Sequence, residues 1–308
     1  MSSLRCPVCA GEARAVMALS ADEIRARLAQ GIPEPAPAAL AIADYEMCEC
    51  ASCGLVFADP MQSGDAAYYE WVTGFPQYHA DARWEWRAMR RLLGERGRAR
   101  ILDIGCGDGK FLASVADLPG IEVLGIDLSA GNVERARARG VKARRASLED
   151  LRKEGARFDV ISMSHVLEHV ADPLRVIEDA KRLLDDGGEI VLSVPYSPTS
   201  REYVKPDIMN LPPHHLTRWK MSSLKRLAEC SGLKLSYVMR KPKPLLKRAM
   251  QYVVEKITGH SNVDGLRKAA IVISHPRVLA EGLRVHRARE KVDGRRAADE
   301  ILVRLGLA

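Results

Sequence analysis

Four cysteines form two pairs, Cys6-Pro-Val-Cys9 and Cys50-Ala-Ser-Cys53-Gly, with the C-x-x-C spacing that sets thiolates around one tetrahedral cation. In a reducing compartment such pairing argues for a metal and against disulfides, so zinc is expected on Cys6, Cys9, Cys50 and Cys53, with Cys48 as an alternative to Cys50. A reactive thiolate is the competing chemistry, but two pairs beside Gly54 favour a closed structural site. A second group is Ser164-His165-Val-Leu-Glu168-His169, whose offsets of three and four put the polar groups on one helical face. With it goes the later run Pro212-Pro-His214-His215-Leu-Thr-Arg-Trp219. Imidazole titrates near neutral pH, so His165, His214 or His215 could take a proton from a substrate, while Glu168 and His169 could instead stabilise helix and loop. The third group is Ile101-Leu-Asp-Ile-Gly-Cys-Gly-Asp-Gly109, where the glycines let backbone approach a ligand closely. Asp103 in it could orient the loop and offset a positive amino group. Asp127, at the end of the next apolar run, could accept both hydroxyls of a ribose.

The elements that must hold these residues follow from periodicity. Between Arg100 and Val194 the short apolar runs ILDI, VLGI, FDVISM and EIVLSV alternate with helical patterns that begin after Gly109, Ser129 and Asp172, with Pro173 suited to a first helical turn. Repeated strand-helix units predict an α/β fold with a doubly wound parallel sheet and the ligand at the carboxyl ends of its strands. Beyond Val194 the pattern predicts a polar, proline-rich loop, a helix from about Met221 to Cys230, a strand LKLSYVM and a basic amphipathic helix from about Pro244 to Ile257. The run AAIVIS, from Ala269, is expected as the last strand, before an Arg-rich helical end. On the N-terminal side lie a helix from Ser20 to Gln30, the linker GIPEPAPAALA, and an aromatic-rich segment (Tyr68, Tyr69, Trp71, Phe75, Tyr78, Trp84, Trp86) leading into an amphipathic run that ends near Gly97. The expected division is 1–62 for the cysteine appendage with its helical insertion, 63–99 for a helical lead-in, 100–240 for the core, and 241–308 for the basic helix, last strand and C-terminal helices.

A chain of 308 residues, 47% hydrophobic and 28% charged, has ordinary globular composition, which excludes disorder and an integral membrane protein. The start MSSLRCPVCAGE lacks the apolar core of a secretory signal, so a cytoplasmic location is expected. A net charge of +7 suits anionic partners without choosing among nucleic acid, phosphorylated sugars and a membrane surface.

ILDIGCGDG followed by GIDLS resembles the first two motifs of class I S-adenosylmethionine-dependent methyltransferases, and FDVISMSHVLEHVADP and LLDDGGEIVLSVPY resemble that superfamily's fourth- and fifth-strand segments. The resemblance covers Arg100 to Val194 and implies a Rossmann-like sheet that binds S-adenosylmethionine. By it, Gly105, Cys106 and Gly107 contact the cofactor, Asp127 and Leu128 its adenosine, and Ser147 and Leu148 the region near adenine. CxxCGLVFADP followed by Tyr68-Tyr69 resembles the N-terminal part of bacterial sugar and glycan methyltransferases. Small-RNA 3′-end and ubiquinone-pathway methyltransferases show a related E-x-x-E-H metal site, in which His165 here stands for the first glutamate. This implies a divalent metal on His165, Glu168, His169 and His215; direct acid/base work by a histidine is the simpler alternative.

The expected activity is methyl transfer to a hydroxyl of a sugar, glycan precursor or other small metabolite. An RNA methyltransferase is the alternative, although the cations are spread rather than interleaved with aromatics. A non-catalytic zinc-containing adaptor is the second. The helix near Pro244, with apolar residues beside cations, could touch an anionic membrane.

Overall fold

The computed structural model describes residues 4–31, 37, 40–74, 82–199, 202, 210–242, 244–258, 263–293 and 298–307, with two sheets among them. The smaller sheet is antiparallel and joins β1 (Ala13–Leu19), β2 (Tyr45–Cys50), β3 (Val56–Asp59) and the short β9 (Thr217–Arg218). The larger contains β4 (Ala99–Ile104), β5 (Ile121–Ile126), β6 (Ala143–Arg144), β7 (Phe158–Ser164), β8 (Leu184–Pro195), β10 (Leu233–Pro242) and β11 (Ala298–Leu307). Its spatial order is β10-β11-β8-β7-β4-β5-β6, with β4 to β8 mutually parallel and β11 antiparallel between β8 and β10. Parallel neighbours need a crossover between them. The chain steps from β4 out to β6 and then returns to β7 on the other side of β4. The strand order therefore reverses at β4, where the carboxyl ends open a crevice.

Strands covered on both faces read as continuous apolar runs. Ile101, Val160, Val191 and Leu302 pack on one face with Met89 and Leu93 of α3 (Trp84–Arg96), Phe111 and Leu112 of α4 (Lys110–Ala113) and Val133 of α5 (Ala130–Ala138). Leu102, Ile161, Leu192 and Val303 pack on the other with Leu151 of α6 (Leu148–Lys153), Ile177 of α7 (Pro173–Lys181) and Leu224 and Leu227 of α8 (Met221–Cys230). The helices start where their caps sit. Ser129 Oγ accepts from Asn132 N, Ser147 and Asp150 form a reciprocal capping box, and Asp172 accepts from Arg175 N ahead of Pro173. On the N-terminal side, α1 (Ala21–Gly31) and α2 (Ala66–Thr73) pack on the small sheet around Ile24, Leu28, Met47, Tyr68 and Leu216.

Three expectations are corrected. AAIVIS is not the last strand. It lies in α10 (Gly265–Ser274), because Asp264 caps a helix by accepting from Arg267 N, and only Val272 of the run is buried. The strand that completes the sheet is β11, so the Arg-rich α11 (Pro276–Asp293) is not the end of the chain. Likewise, His165 to His169 do not form an α-helical face: β7 ends at Ser164, His165 turns the chain at φ 56°, and a single 3₁₀ turn spans Leu167–His169. The amphipathic helix near Pro244 is present as α9 (Leu245–Thr258). Phe75, Tyr78 and most of the Pro/Ala linker lie outside the described residues.

Candidate active site

The carboxyl ends of β4, β5 and β7 open into a cleft of about 2310 Å³, lined by Asp103, Gly105 to Asp108, Asp127 to Asn132, Ser147 and Leu148, and His165, Glu168, His169, His214 and His215. Ligand pockets usually occupy a few hundred to about 1,000 Å³, so the space exceeds what one small molecule fills. Asp103, Gly105, Cys106 and Gly107 of the glycine motif, Asp127, and His165, Glu168, His169, His214 and His215 of the histidine runs all line this one cleft, whereas Gly109 packs against Ala136 and Val141.

Gly105, Gly107 and Gly109 all have positive φ. A Cβ on Gly105 would come within 2.7 Å of Val166 Cγ2, so the tight turn also permits close packing against the segment after β7. The Asp127 carboxylate organises the loop from the next strand: Oδ2 accepts from Gly107 N at 2.9 Å, and Oδ1 from Ser129 N at 2.8 Å and Asn132 Nδ2 at 3.2 Å. Asp103 is nearly sealed from solvent. Burial pushes its carboxyl up to about 7, the Asp127 charge adds to the rise, and a 2.6 Å hydrogen bond from Ser162 Oγ opposes it. Cys106 is buried at the bend. Leu128 is 74% exposed at the cleft wall.

The histidines divide into two environments. His165 hydrogen-bonds Glu168 Oε1 through Nδ1 and Glu85 Oε1 through Nε2, both at 3.1 Å, and both carboxylates are 1% exposed or less. Burial by itself disfavours an imidazolium, but the two carboxylates outweigh it and hold His165 up to about 9. A ring charged at neutral pH with both nitrogens donating has no lone pair for a substrate proton, which argues against His165 as the base. His169, His214 and His215 instead bring one ligand atom each within 4.8 Å of one another, with His214 and His215 stacked at 5.0 Å. Burial holds all three below the usual imidazole range, and the neighbouring imidazoles deepen the drop at His214 and His215. His169 Nδ1 bonds the His214 carbonyl at 2.6 Å and His215 Nδ1 bonds Asn210 Oδ1 at 3.0 Å. With Nδ1 donating in each, both Nε2 lone pairs are free for the cluster centre. Glu168 Oε1 lies 4.0 Å from His215 Nε2. His214 thus stands in the converging set where His165 was expected.

Sequence reasoning missed Glu85. It is the one acid between Trp84 and Trp86 on the buried side of α3, and Arg83 lies 3.6 Å from it. A carboxylate on an apolar helix face is the signal that could have found it.

Away from the cleft, Cys6, Cys9, Cys50 and Cys53 gather with sulfurs within 4.8 Å; Cys6 to Cys53 is 3.8 Å and Cys9 to Cys50 is 3.6 Å. Zinc-sulfur bonds of about 2.3 Å at tetrahedral angles need sulfurs about 3.8 Å apart, so the nest fits the ion. Cys48 is not a member; its Sγ faces the Glu46 carbonyl at 3.7 Å. The nest rests on the core, where Ser222 Oγ donates to the Cys53 carbonyl and Lys220 pairs with Glu49 at 2.8 Å.

A model of the methyltransferase domain matches residues 77–238. The ubiquinone biosynthesis O-methyltransferase of Xanthomonas oryzae pv. oryzae is 41% identical over 102 residues, 31% of this chain and 42% of that protein. The enzyme of the same name from Cereibacter sphaeroides is 40% identical over 100 residues, 30% of this chain and 40% of that one. The chain therefore matches less than half the length of these relatives. Among solved structures, an S-adenosylmethionine-dependent methyltransferase from Mesorhizobium loti is 23% identical at a TM-score of 0.46, covering 73% of this chain and 99% of that one. Magnesium protoporphyrin IX methyltransferase from Synechocystis, with bound S-adenosylhomocysteine, is 13% identical at a TM-score of 0.47, covering 73% and 82%. With the domain model spanning just over half of the sequence and the glycine loop and its acids at the switch point of the sheet, the chain belongs to the class I S-adenosylmethionine-dependent methyltransferases.

Proposed function

We propose that the protein methylates a hydroxyl of a sugar, glycan precursor or other small metabolite. One observation carries this reading: three imidazoles held neutral by burial converge in the same cleft as the glycine loop. The cofactor would lie over Gly105, Cys106 and Gly107, its ribose on Asp127, its adenine against Leu128 with Ser147 and Leu148 nearby, and its amino group toward Asp103. Bound there, it supplies a methyl on a sulfonium, which an oxygen nucleophile displaces in line. The work left to the protein is alignment and removal of one proton. A neutral His214 or His215 accepts that proton, while Glu85 and Glu168 fix His165 as an immobile cation in the cleft wall. The two relatives carry an O-methyltransferase name, which agrees with an oxygen acceptor.

A metal-assisted version of the same transfer has its own support. His169, His214 and His215 offer three nitrogens, and Glu168 Oε2 is buried with no hydrogen bond among the described residues. Those four side chains would hold a divalent cation, which supplies Lewis acidity toward a hydroxyl. The cysteine nest would hold zinc as a structural tie.

The test is transfer of labelled methyl to free sugars, nucleotide sugars and phenols, with wild type and with His214→Ala and His215→Ala. Loss of at least about a hundredfold in kcat with cofactor binding intact is expected. Less than a threefold effect from both variants would contradict the histidine assignment. Loss of turnover on chelation, restored by magnesium but not by zinc alone, would select the metal version.

A further inference from the structure

We propose that α10 and its neighbours form a docking surface for an anionic lipid membrane. On α10, Leu266 is 88% exposed and Ile273 is 79% exposed, seven residues apart and so on one line of the helix, with the exposed Ala269 and Ala270 between them. Single exposed aliphatics are commonplace, but here an entire helix face is apolar and open. Half of the large exposed hydrophobics among the described residues (Leu246, Ile257, Leu266 and Ile273) fall in α9 and α10.

Charge names the occupant. Residues 244–293 carry ten Lys and Arg against five Asp and Glu, a net +5 out of the +7 of the whole chain. Arg267, next to Leu266 on α10, and Arg277, in the first turn of α11, are both exposed. A second copy of the chain would bring the same excess of positive charge against itself. A nucleic acid would meet the arginines but leave two aliphatic side chains with nothing to bury them. An anionic bilayer takes both parts: headgroup phosphates meet the cations, and Leu266 and Ile273 enter the boundary with the acyl chains. The cleft reaches the same unit, since Lys247, Gln251 and Lys268 line it, and Lys268 Nζ donates to Gln251 Oε1 at 2.8 Å. Docking would therefore bring the α9 and α10 wall of the cleft close to the lipid surface. The surface stands whatever acceptor is methylated.

The experiment is flotation of the full chain with vesicles of phosphatidylcholine alone and with about a third phosphatidylglycerol. Wild type is expected to float with the anionic vesicles only. Leu266→Glu with Ile273→Glu is expected to lower binding by about tenfold or more. Arg267→Glu with Arg277→Glu should lower it similarly, which keeps the test open if the first pair misfolds. Equal binding of S-adenosylhomocysteine by wild type and variants shows that the core and the cofactor site are intact, separately from docking. Absence of flotation, or flotation unchanged in both variants, would overturn the proposal. So would a concentration-dependent dimer that the Leu266 and Ile273 changes abolish, because a second copy would then cover the stripe.

Discussion

His165 occupies a left-handed backbone conformation, which histidine adopts several-fold more readily than a β-branched residue, and two buried carboxylates clamp its ring. Its folded pKa, up to about 9, lies above the unfolded value near 6.5. The stability it contributes is therefore fully present below about pH 6.5 and is lost as pH rises through about 9, on the order of 3 kcal/mol. Urea denaturation of wild type and Glu85→Gln across that window checks this: the wild-type curve should fall more steeply, and parallel curves would remove the clamp from the account. Asp103 gives a second residue-scale expectation. Its carboxyl, raised to about 7, is close to half protonated at neutral pH, and a cationic amino group placed beside it would favour the carboxylate. Binding of S-adenosylhomocysteine at pH 7 should then release a fraction of a proton, seen as a binding enthalpy that depends on the ionisation enthalpy of the buffer; Asp103→Asn should abolish that dependence. The places of Asp103 and Asp127 could be read from the sequence because a carboxylate ending an apolar run marks a strand's carboxyl end. The partners of His165 could not, since Glu85 lies 80 positions away on an element whose docking no local pattern specifies.

At the scale of elements, the glycine loop and the cysteine nest make separate demands on the backbone. Gly109 has φ 76°, and a Cβ there would meet Ala136 Cβ and Val141 Cγ2 at 2.8 Å and Ala136 Cα at 3.0 Å. Gly109→Ala should cost about 2 kcal/mol by urea denaturation, since backbone of α5 would have to move; a cost near zero would mean that the contact relaxes freely. If zinc ties Cys6 and Cys9 to Cys50 and Cys53, chelation or Cys50→Ser should lower Tm by about 10 °C, while Cys48→Ser should leave metal content unchanged. Metal retained by Cys50→Ser and lost by Cys48→Ser would reverse the assignment. Two helices announced themselves through caps: Ser129 and Asp172 begin them where their side chains take the first free N–H groups, while the helix that Ser147 caps was not expected. The failures have physical reasons. AAIVIS and ILVRLGL are both short apolar runs, which periodicity alone cannot sort into helix and strand, and the Asp264 cap decided the first. The segment after β7 carries helical spacing but turns at His165, because the clamp outweighs a helix too short to sustain itself.

Over the whole molecule, one sheet places the cofactor loop, the histidines and the inner side of α9 and α10 around a single cleft, with the cysteine nest braced against α8 from outside. No helix among the described residues is long and apolar enough to cross a membrane. The core topology was legible because alternating strands and helices permit few arrangements. The capture of Thr217–Arg218 by the small sheet, and the return of the chain as β11 between β8 and β10, were not legible, since both are long-range pairings without a local signature. The central claim is that this cleft binds S-adenosylmethionine through the acid that ends β5, and calorimetry on wild type and Asp127→Ala tests it most directly. Wild type should bind S-adenosylhomocysteine, and the variant, still folded by circular dichroism, should bind about a hundredfold more weakly, as expected when charge-assisted hydrogen bonds to a ribose are lost. Equal affinities for the two proteins, or no binding by folded wild type, would contradict the account.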